Sequence, residues 1–272
     1  MSGRPPRITL LTDFGTADGY VAAMKGVIAA ILPGAIIDDA SHDIPPGDVH
    51  AASWALDAYW HLYPAGTVHV VVVDPGVGSA RRALALEVDR RFIIAPDNGI
   101  VTAALRRAPL ARAVEIRTPH RLRDTVSATF HGRDVFAPAA AHIATGAPLE
   151  ELGPPVTDPV LIALPEPART RASVAGTVVH VDRFGNLVTN IPAADVRGGA
   201  VAVGARRRIP VVRTYADVPS GECAALIGSR GALEVSVRDG SAAEVLAAER
   251  GTVVVWSADG SAGTPADAAP EF

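Results

Sequence analysis

The chain has 272 residues, of which 49% are hydrophobic, enough for a substantial core in one large domain or two ordinary ones. Its 25 Lys and Arg residues against 29 Asp and Glu residues give a formal net charge of -4, so no overall positive field attracts nucleic acid or an anionic membrane. A single cysteine, Cys223, excludes an intramolecular disulfide and a zinc knuckle. Since no run resembles a signal-peptide core or a membrane span, we expect an unprocessed cytoplasmic protein.

The first half of the chain alternates β-branched runs with Ala-rich segments of helical period. Strands are predicted at 8–12, 35–39, 68–73 and 92–95, and helices at 20–32 and 49–62. The continuous apolar runs at 68–73 and 92–95 indicate strands that are covered on both faces, which is typical of parallel sheets. The pattern therefore predicts a mostly parallel α/β/α sandwich.

Prolines concentrate between 146 and 172, which indicates an extended connection. Beyond it, short strands are predicted at 176–182, 187–191, 201–203, 210–212, 224–227 and 233–237, with turn residues between them. We predict an N-terminal α/β domain at 1–165, a linker at 166–172 and a smaller antiparallel β-barrel-like domain at 173–258. The Ala, Gly, Pro and Asp composition of 259–272 predicts a disordered tail.

Two acidic residues flank the first predicted loop. In a doubly wound sheet, ligands collect beyond the carboxyl ends of the strands, because loops and helix N-termini converge there. Asp13 follows the first predicted strand, where a carboxylate can accept both hydrogens of a ribose diol; the alternative is an ordinary turn residue. Asp18 precedes the first predicted helix, and its spacing alone indicates mainly an N-cap.

A second strand end carries the segment 74–78 (DPGVG), followed by Arg81. The apolar strand would carry Asp74 to the rim of the sheet, and the two glycines would let the backbone approach a ligand closely. The segment lacks the lysine and the glycine spacing of a phosphate loop. The structural alternative is a Pro-Gly turn that joins two strands, with Asp74 and Arg81 paired to each other.

His131 lies in the segment 129–134 (TFHGRD), just before an Ala-rich helical pattern. A lone histidine is more often structural than catalytic, and the glycine-rich loop and strand lysine of a kinase do not accompany it. The remaining histidines show no metal-ligand spacing with carboxylates or cysteine. We therefore predict no metal site.

Two short segments interrupt the predicted strands of the second domain, namely 182–186 (DRFGN) and 228–231 (GSRG). From composition alone, both are ordinary hairpin turns. The basic run 206–208 has no interleaved aromatic residues, and we interpret it as an exposed strand edge that deters pairing with another sheet.

Taken in order, these motifs resemble those of the S-adenosylmethionine (SAM) hydrolases, also called SAM hydroxide adenosyltransferases, which are related to the fluorinating and chlorinating enzymes that attack SAM with halide. The resemblance runs from Arg7 to about Trp256 and rests on the segments 12–15 (TDFG), 74–78, 95–99 (APDNG), 129–134 and 184–190 (FGNLVTN). It implies hydrolysis of SAM at ribose C5′ to adenosine and L-methionine, with SAM as the substrate and no cofactor.

The resemblance implies that Asp74, Arg81 and His131 are the catalytic residues. Methionine leaves a sulfonium as a neutral thioether, so only the attacking water needs to be held in line and deprotonated. Halide-using relatives carry a tyrosine where Asp74 stands; an ionised Asp74 would repel a halide but can orient water. The hypothesis is that Asp74 and His131 position and deprotonate water while Arg81 orients Asp74 and stabilises developing hydroxide, with the identity of the base left open.

The resemblance also implies binding residues in both domains. It assigns the ribose to Asp13 and the adenine to Phe184 and Asn186. It assigns the ammonium of the methionine half to Asp18 and Asp182, and its carboxylate to Ser229 and Arg230. The implied assembly is the family's homotrimer, with sites between subunits.

Some positions depart from the family's pattern. Gly47 stands where the fluorinating relative has a tryptophan near the substrate, and Gly228 stands where an Asn often precedes the Ser. Gly132 is shared in kind with chlorinating relatives and does not discriminate by itself.

Three other functions stay open at this point. A SAM-dependent halogenase of the chlorinase kind is disfavoured by Asp74. A non-catalytic module that binds adenosine or SAM would use the same binding residues. An unrelated nucleotide-phosphate enzyme would use the turn at 76–78 and require magnesium.

Overall fold

The computed structural model describes residues 5–117, 125–204 and 206–258. It divides into two compact units, Met1–Ile162 and Ala163–Phe272, and each has its own apolar core. The tail predicted at 259–272 lies outside the described residues. In the described part of the chain, no helix has both the length and the apolar character needed to span a bilayer.

The first unit alternates strands and helices as the sequence predicts. Its elements are β1 (Arg7–Thr12), α1 (Tyr20–Ile31), β2 (Ile36–Ser41), α2 (Val49–Tyr59), β3 (Val68–Val72), β4 (Ala83–Val88), β5 (Arg91–Pro96), α3 (Thr102–Arg107), β6 (Leu110–Glu115) and α4 (Ala137–Ala144). A 3-10 turn at Trp60–Leu62 follows α2, and a π-helical turn at Gly132–Phe136 leads into α4.

The sheet of this unit has the strand order β2-β1-β3-β5-β4-β6. The first four strands in this order run parallel, whereas β4 is antiparallel to both β5 and β6. Along β3, Val70 packs into a core that includes residues of α1 and α4, and Val71 packs into a core that includes residues of α2 and α3. Because successive side chains of a strand point to opposite faces, this alternation confirms the predicted layering with helices on both faces.

The second unit is an antiparallel barrel, and the predicted fold class is confirmed. Its elements are β7 (Ala168–Arg169), β8 (Ser173–Val181), β9 (Leu187–Pro192), β10 (Ala200–Val203), β11 (Arg206–Pro210), β12 (Cys223–Ile227), β13 (Ala232–Val237), α5 (Ala242–Leu246) and β14 (Val253–Ser257). The described strands follow the order β11-β10-β14-β8-β9-β13-β12, with β7 beside β8. The Val212 amide donates to the Ala225 carbonyl at 2.8 Å, which nearly closes the sheet.

One predicted strand of the second unit is misplaced. The sequence predicted a strand at 210–212, whereas the strand ends at Pro210 and includes the basic run. Proline has no amide hydrogen to donate, so it ends the ladder with β10 instead of beginning one.

Candidate active site

Three side chains from separate segments of the first unit meet beyond the carboxyl end of β3. Asp74 follows β3, Arg81 precedes β4, and His131 precedes the π-helical turn. Arg81 Nε donates to Asp74 Oδ1 at 2.9 Å, and Arg81 Nη2 donates to Asp74 Oδ2. The same Nη2 lies 2.8 Å from His131 Nδ1. The fold therefore brings together the three residues that the family resemblance implies as catalytic.

The Asp74–Arg81 pair is largely removed from water, since the Asp74 side chain is 5% exposed and the Arg81 side chain 11% exposed. Buried charges are tolerated where they are paired and hydrogen-bonded. The Arg81 guanidinium also lies over the Phe136 ring, with 5.3 Å between Cζ and the ring centroid. A carboxylate at its edge and a ring at its face fix the plane of the guanidinium.

The contact with Arg81 defines the state of His131. A guanidinium only donates hydrogen bonds, so Nδ1 must accept, and the hydrogen of the neutral ring is then on Nε2. Burial and the positive charge of Arg81 lower the pKa of His131, with Asp74 and Asp134 acting in the opposite direction. His131 is therefore neutral at pH 7.

Asp74 and His131 border a cleft of about 350 Å³ in the first unit. Asp13 lines the same cleft, and its Oδ2 accepts the Gly47 amide at 2.8 Å. The other lining residues are Phe14, Tyr20, Gly47, Val72, Pro75, Val77, Thr129, Phe130 and Gly132. This mixture of a few convergent polar groups in an otherwise apolar cleft is typical of small-molecule sites.

One wall of the cleft is aromatic, and the sequence analysis did not identify it. The rings of Phe14, Tyr20 and Phe130 contact one another edge to face, with centroid separations of 6.0, 5.8 and 5.1 Å. Aromatic residues make up only 5% of the chain, and these three lie in or beside the segments that carry Asp13 and His131. Their position in the sequence could have indicated this wall.

Gly78, in the turn after β3, is required by the packing of the protein's own backbone. Gly78 has a φ of +77°, and a Cβ there would lie 2.4 Å from the Ala128 carbonyl oxygen. The glycine thus lets the turn pack against the segment that leads to His131. The sequence analysis gave a turn between two strands as the alternative, and the turn does join β3 to β4 and pair Asp74 with Arg81.

The interpretation of Asp18 as a helix cap is wrong. The N-cap of α1 is Gly19, which has a φ of 73° and provides no side-chain cap. Asp18 is exposed and does not line the cleft. A glycine in the left-handed conformation makes the turn into the helix, so the preceding carboxylate is displaced from the capping position.

In the second unit, the predicted adenine loop is a tight hairpin between β8 and β9. The Asp182 carboxylate accepts the amides of Phe184 and Asn186 at 2.9 Å each, and also the Asn186 side-chain amide at 2.9 Å. This organisation leaves Phe184 77% exposed at the loop tip. An exposed aromatic ring on a rigid loop is available for stacking on a planar ligand.

The predicted carboxylate loop, 228–231, connects β12 to β13, and Ser229 in it is exposed. Gly228 packs on Glu234, because a Cβ at Gly228 would lie 2.6 Å from Glu234 Oε2. Burial raises the pKa of Glu234, the hydrogen bond from Tyr215 opposes this shift, and the charge of Asp182 adds to it. Glu234 therefore packs against the 228–231 loop and also senses the charge of Asp182. Within the described residues, no group of three His, Cys, Asp or Glu side chains has the geometry to hold a metal ion.

The fold and the cleft together define a protein with a parallel-rich α/β unit, a β-barrel unit and a small-molecule site that contains a buried Asp–Arg pair and a neutral histidine. The model of the SAM hydroxide adenosyltransferase N-terminal domain matches residues 8–153, and the model of the corresponding C-terminal domain matches residues 176–255. The chain belongs to the SAM hydroxide adenosyltransferase family.

Individual relatives agree with this family. The (R)-S-adenosyl-L-methionine hydrolase of Thermus thermophilus is 45% identical over 255 residues, covering 91% of this chain and 98% of that protein. The fluorinase of an Actinoplanes species is 28% identical over 269 residues, covering 85% and 90%. The crystal structure of an uncharacterized conserved protein from Thermotoga maritima superposes with a TM-score of 0.86 at 36% identity, covering 91% of this chain and 98% of that one.

Proposed function

We propose that this protein hydrolyses SAM at ribose C5′ to adenosine and L-methionine. The observation that carries the proposal is the contact of Asp74, Arg81 and His131 beside a cleft that Asp13 also lines. An anionic Asp74 at the cleft disfavours halide as the nucleophile and suits water. Family membership and the name of the Thermus relative support the same substrate.

The proposed mechanism is in-line attack of water at C5′ with departure of methionine from the sulfonium. SAM and water give adenosine, neutral methionine and one proton, so the leaving group needs no acid. His131 Nδ1 is occupied by Arg81, which favours Asp74 as the acceptor of the water proton and His131 Nε2–H as an orienting donor. Arg81 holds Asp74 in place and offsets the negative charge that develops on the attacking oxygen.

The proposed binding residues come from both units. Asp13, with one oxygen held by Gly47, binds the ribose hydroxyls. Phe184 and Asn186 bind the adenine, and the remaining four groups, Asp18, Asp182, Ser229 and Arg230, bind the methionine end. The exposed Phe184 ring and the ordered 182–186 loop support the adenine role.

The test is incubation of the purified protein with SAM in oxygen-18 water, with and without chloride or fluoride, followed by mass spectrometry of the nucleoside. Formation of adenosine labelled at the 5′ oxygen supports hydrolysis if Asp74→Ala abolishes it and Asp57→Asn does not. Asp57 is the control because it pairs with Arg107 and does not line the cleft. A 5′-halo-5′-deoxyadenosine would replace the proposal with halogenation. SAM that binds but stays intact would replace it with a sensor.

The sulfonium sulfur is a stereocentre, and the Thermus relative is named for the (R) form. We extend this preference to the chain. Incubation with a mixture of the two sulfur epimers, followed by chiral chromatography, should show depletion of the (R) form first. Equal depletion of both epimers would remove the stereochemical part of the proposal.

We also propose a homotrimer in the cytoplasm. The assembly rests on the family resemblance, and the location on the single buried cysteine, Cys223, which suits a reducing compartment. Light scattering coupled to size exclusion should give three times the mass of 28.1 kDa for one chain. A monomer with full activity at low concentration would overturn the proposed assembly.

A further inference from the structure

The segment 95–99 (APDNG) has no role in the proposed mechanism, although its two polar residues lie next to the catalytic pair in the fold. Strand β5 lies between β3 and β4, parallel to β3 and antiparallel to β4. The carboxyl end of β5 is therefore flanked by the end of β3, which leads to Asp74, and by the start of β4, which follows Arg81. Asp97 and Asn98 occupy this position.

Asn98 holds the chain on the Asp74 side. Its Nδ2 donates to the Val73 carbonyl at 2.9 Å, and its Oδ1 accepts the Ile100 amide at 3.2 Å. Val73 is fully buried and immediately precedes Asp74. The side chain of Asn98 thus satisfies a main-chain carbonyl beyond the last residue of β3, where the ladder no longer provides a partner.

Asp97 holds the chain on the Arg81 side. Its side chain is 2% exposed, and Oδ2 accepts Arg82 Nε at 2.6 Å while Oδ1 accepts the Val160 amide at 2.7 Å. The Asp97 amide donates in turn to the Arg82 carbonyl at 2.9 Å. Arg82 immediately follows Arg81, so both the side chain and the backbone of Asp97 fix the position of the residue next to Arg81.

We infer that Asp97 and Asn98 are positioning residues that hold the Asp74–Arg81 pair in register with His131. This inference rests on the proposed function. Neither residue lines the cleft, so their effect passes through the orientation of the pair and not through contact with the substrate. A misplacement of about 1 Å in a catalytic group can cost about 10²-fold in rate.

A displaced Arg81 would change the titration of His131, which loss of stability alone would not do. Arg81 is the cation that faces His131, while Asp74 and Asp134 are the acids that face it. If the Arg81 guanidinium moves away, the charge that helps to keep His131 neutral is withdrawn, and the pKa of His131 rises. The acid limb of the rate profile should then move to higher pH.

The experiment uses two substitutions of equal size, Asn98→Asp and Asp97→Asn. The first replaces the donor to Val73 with a carboxylate oxygen of the same size, and the second removes the charge that pairs with Arg82. The added charge of Asn98→Asp raises the pKa of His131 by itself, whereas loss of the Asp97 charge acts in the opposite direction, so the pH profile of Asp97→Asn decides the positioning role. The matched control is Asp57→Asn, which breaks a bidentate pair with Arg107 (2.8 and 3.0 Å) in the same unit, away from the cleft. Each variant is compared with the native protein in kcat and KM for SAM, in its pH profile and in thermal unfolding.

We expect kcat to fall about 10- to 100-fold in both test variants, with KM changed by less than about twofold and the acid limb moved to higher pH. Asp57→Asn should keep the native kcat and profile. Unchanged kcat and unchanged acid limbs in both test variants would overturn the inference. If a variant loses stability, nitrogen-15 NMR titration of His131 in the folded fraction decides, because an unmoved pKa contradicts the inference.

A failure of the proposed function gives a different result. In that case the native protein itself forms no adenosine from SAM, whatever the variants do. The His131 titration in Asp97→Asn still tests positioning there, since it needs no turnover and loss of a carboxylate alone would not raise the pKa.

Discussion

Nη2 of Arg81 lies 2.8 Å from Nδ1 of His131 and also donates to Asp74 Oδ2, so one guanidinium nitrogen links the carboxylate and the imidazole. The link specifies the protonation state of the ring as well as its position. Substitutions at Arg81 and measurements of pH dependence therefore report on a single coupled unit.

Arg81→Lys should lower kcat by about 10²-fold, because an ammonium cannot hold both Asp74 oxygens and His131 Nδ1 at fixed angles. Steady-state kinetics with SAM measures the change. Arg107→Lys is the matched control, since Arg107 makes a similar fork to Asp57 outside the cleft. Full activity in Arg81→Lys would show that only the charge matters.

The midpoint of the acid limb of the activity profile should lie below pH 6.5. Burial and Arg81 lower the pKa of His131 below the ordinary 6.5, and the neutral ring is the active form in the proposed mechanism. The measurement is kcat between pH 5 and 9, together with His131→Gln, whose residual activity should lack this limb. A decline that is already complete at pH 7 would contradict the assignment.

Tyr20→Leu should weaken the binding of SAM about twofold to fivefold while leaving the binding of adenosine unchanged. We expect the aromatic wall of Phe14, Tyr20 and Phe130 to face the sulfonium and stabilise its charge, which adenosine lacks. Because the positive charge on sulfur decreases towards the transition state, kcat should not fall. Isothermal titration of both ligands to the Asp74→Asn protein checks this, with Tyr20→Phe as the control that keeps the ring.

Gly78→Ala should destabilise the protein by about 1–3 kcal/mol and reduce activity. A Cβ at this left-handed position collides with the Ala128 carbonyl and pushes the turn away from the His131 segment. Gly26→Ala in α1 is the control of opposite sign, since nothing lies within 4 Å of a Cβ there and alanine favours a helix by about 0.5–1 kcal/mol. Urea unfolding of both variants measures the two effects, and equal stability would contradict this account of the turn.

The free energy of unfolding should decrease as the pH falls from about 6.5 towards 3, owing to His69. Burial and then the charge of Arg91 lower the pKa of His69 to about 3, so the folded protein keeps a neutral ring where the unfolded chain takes up a proton. The unfolded state binds more protons in this range, and each pH unit costs up to about 1.4 kcal/mol.

Urea unfolding at several pH values measures this dependence in the native protein and in His69→Gln, where the slope should become smaller. His50→Gln changes an exposed histidine and should keep the native slope. Equal slopes in the native protein and His69→Gln would show that other groups cause the acid sensitivity.

Local patterns were sufficient for much of the fold. The apolar run before Asp74 predicted a strand buried on both faces, and β3 is such a strand because its alternate valines enter different cores. Strand β4 was not predicted from pattern. It forms a tight hairpin with β5 and pairs on its other side with β6, which lies farther along the chain, and the propensity of a short strand depends on such neighbours.

The sequence by itself determined the class of fold, the motif segments and the residue types of the candidate site, because these depend on periodicity and on short runs along the chain. Only the tertiary structure decided that Arg81 meets His131, 50 residues away, that Gly78 serves the protein's own backbone, and that Asp97 and Asn98 flank the catalytic pair. The physical reason is the order of the strands in the sheet, where β5 lies between β3 and β4. This order places the end of β3 and the start of β4 on the two sides of the end of β5, and the pairing of β3 with β5 joins segments that are separated in the sequence.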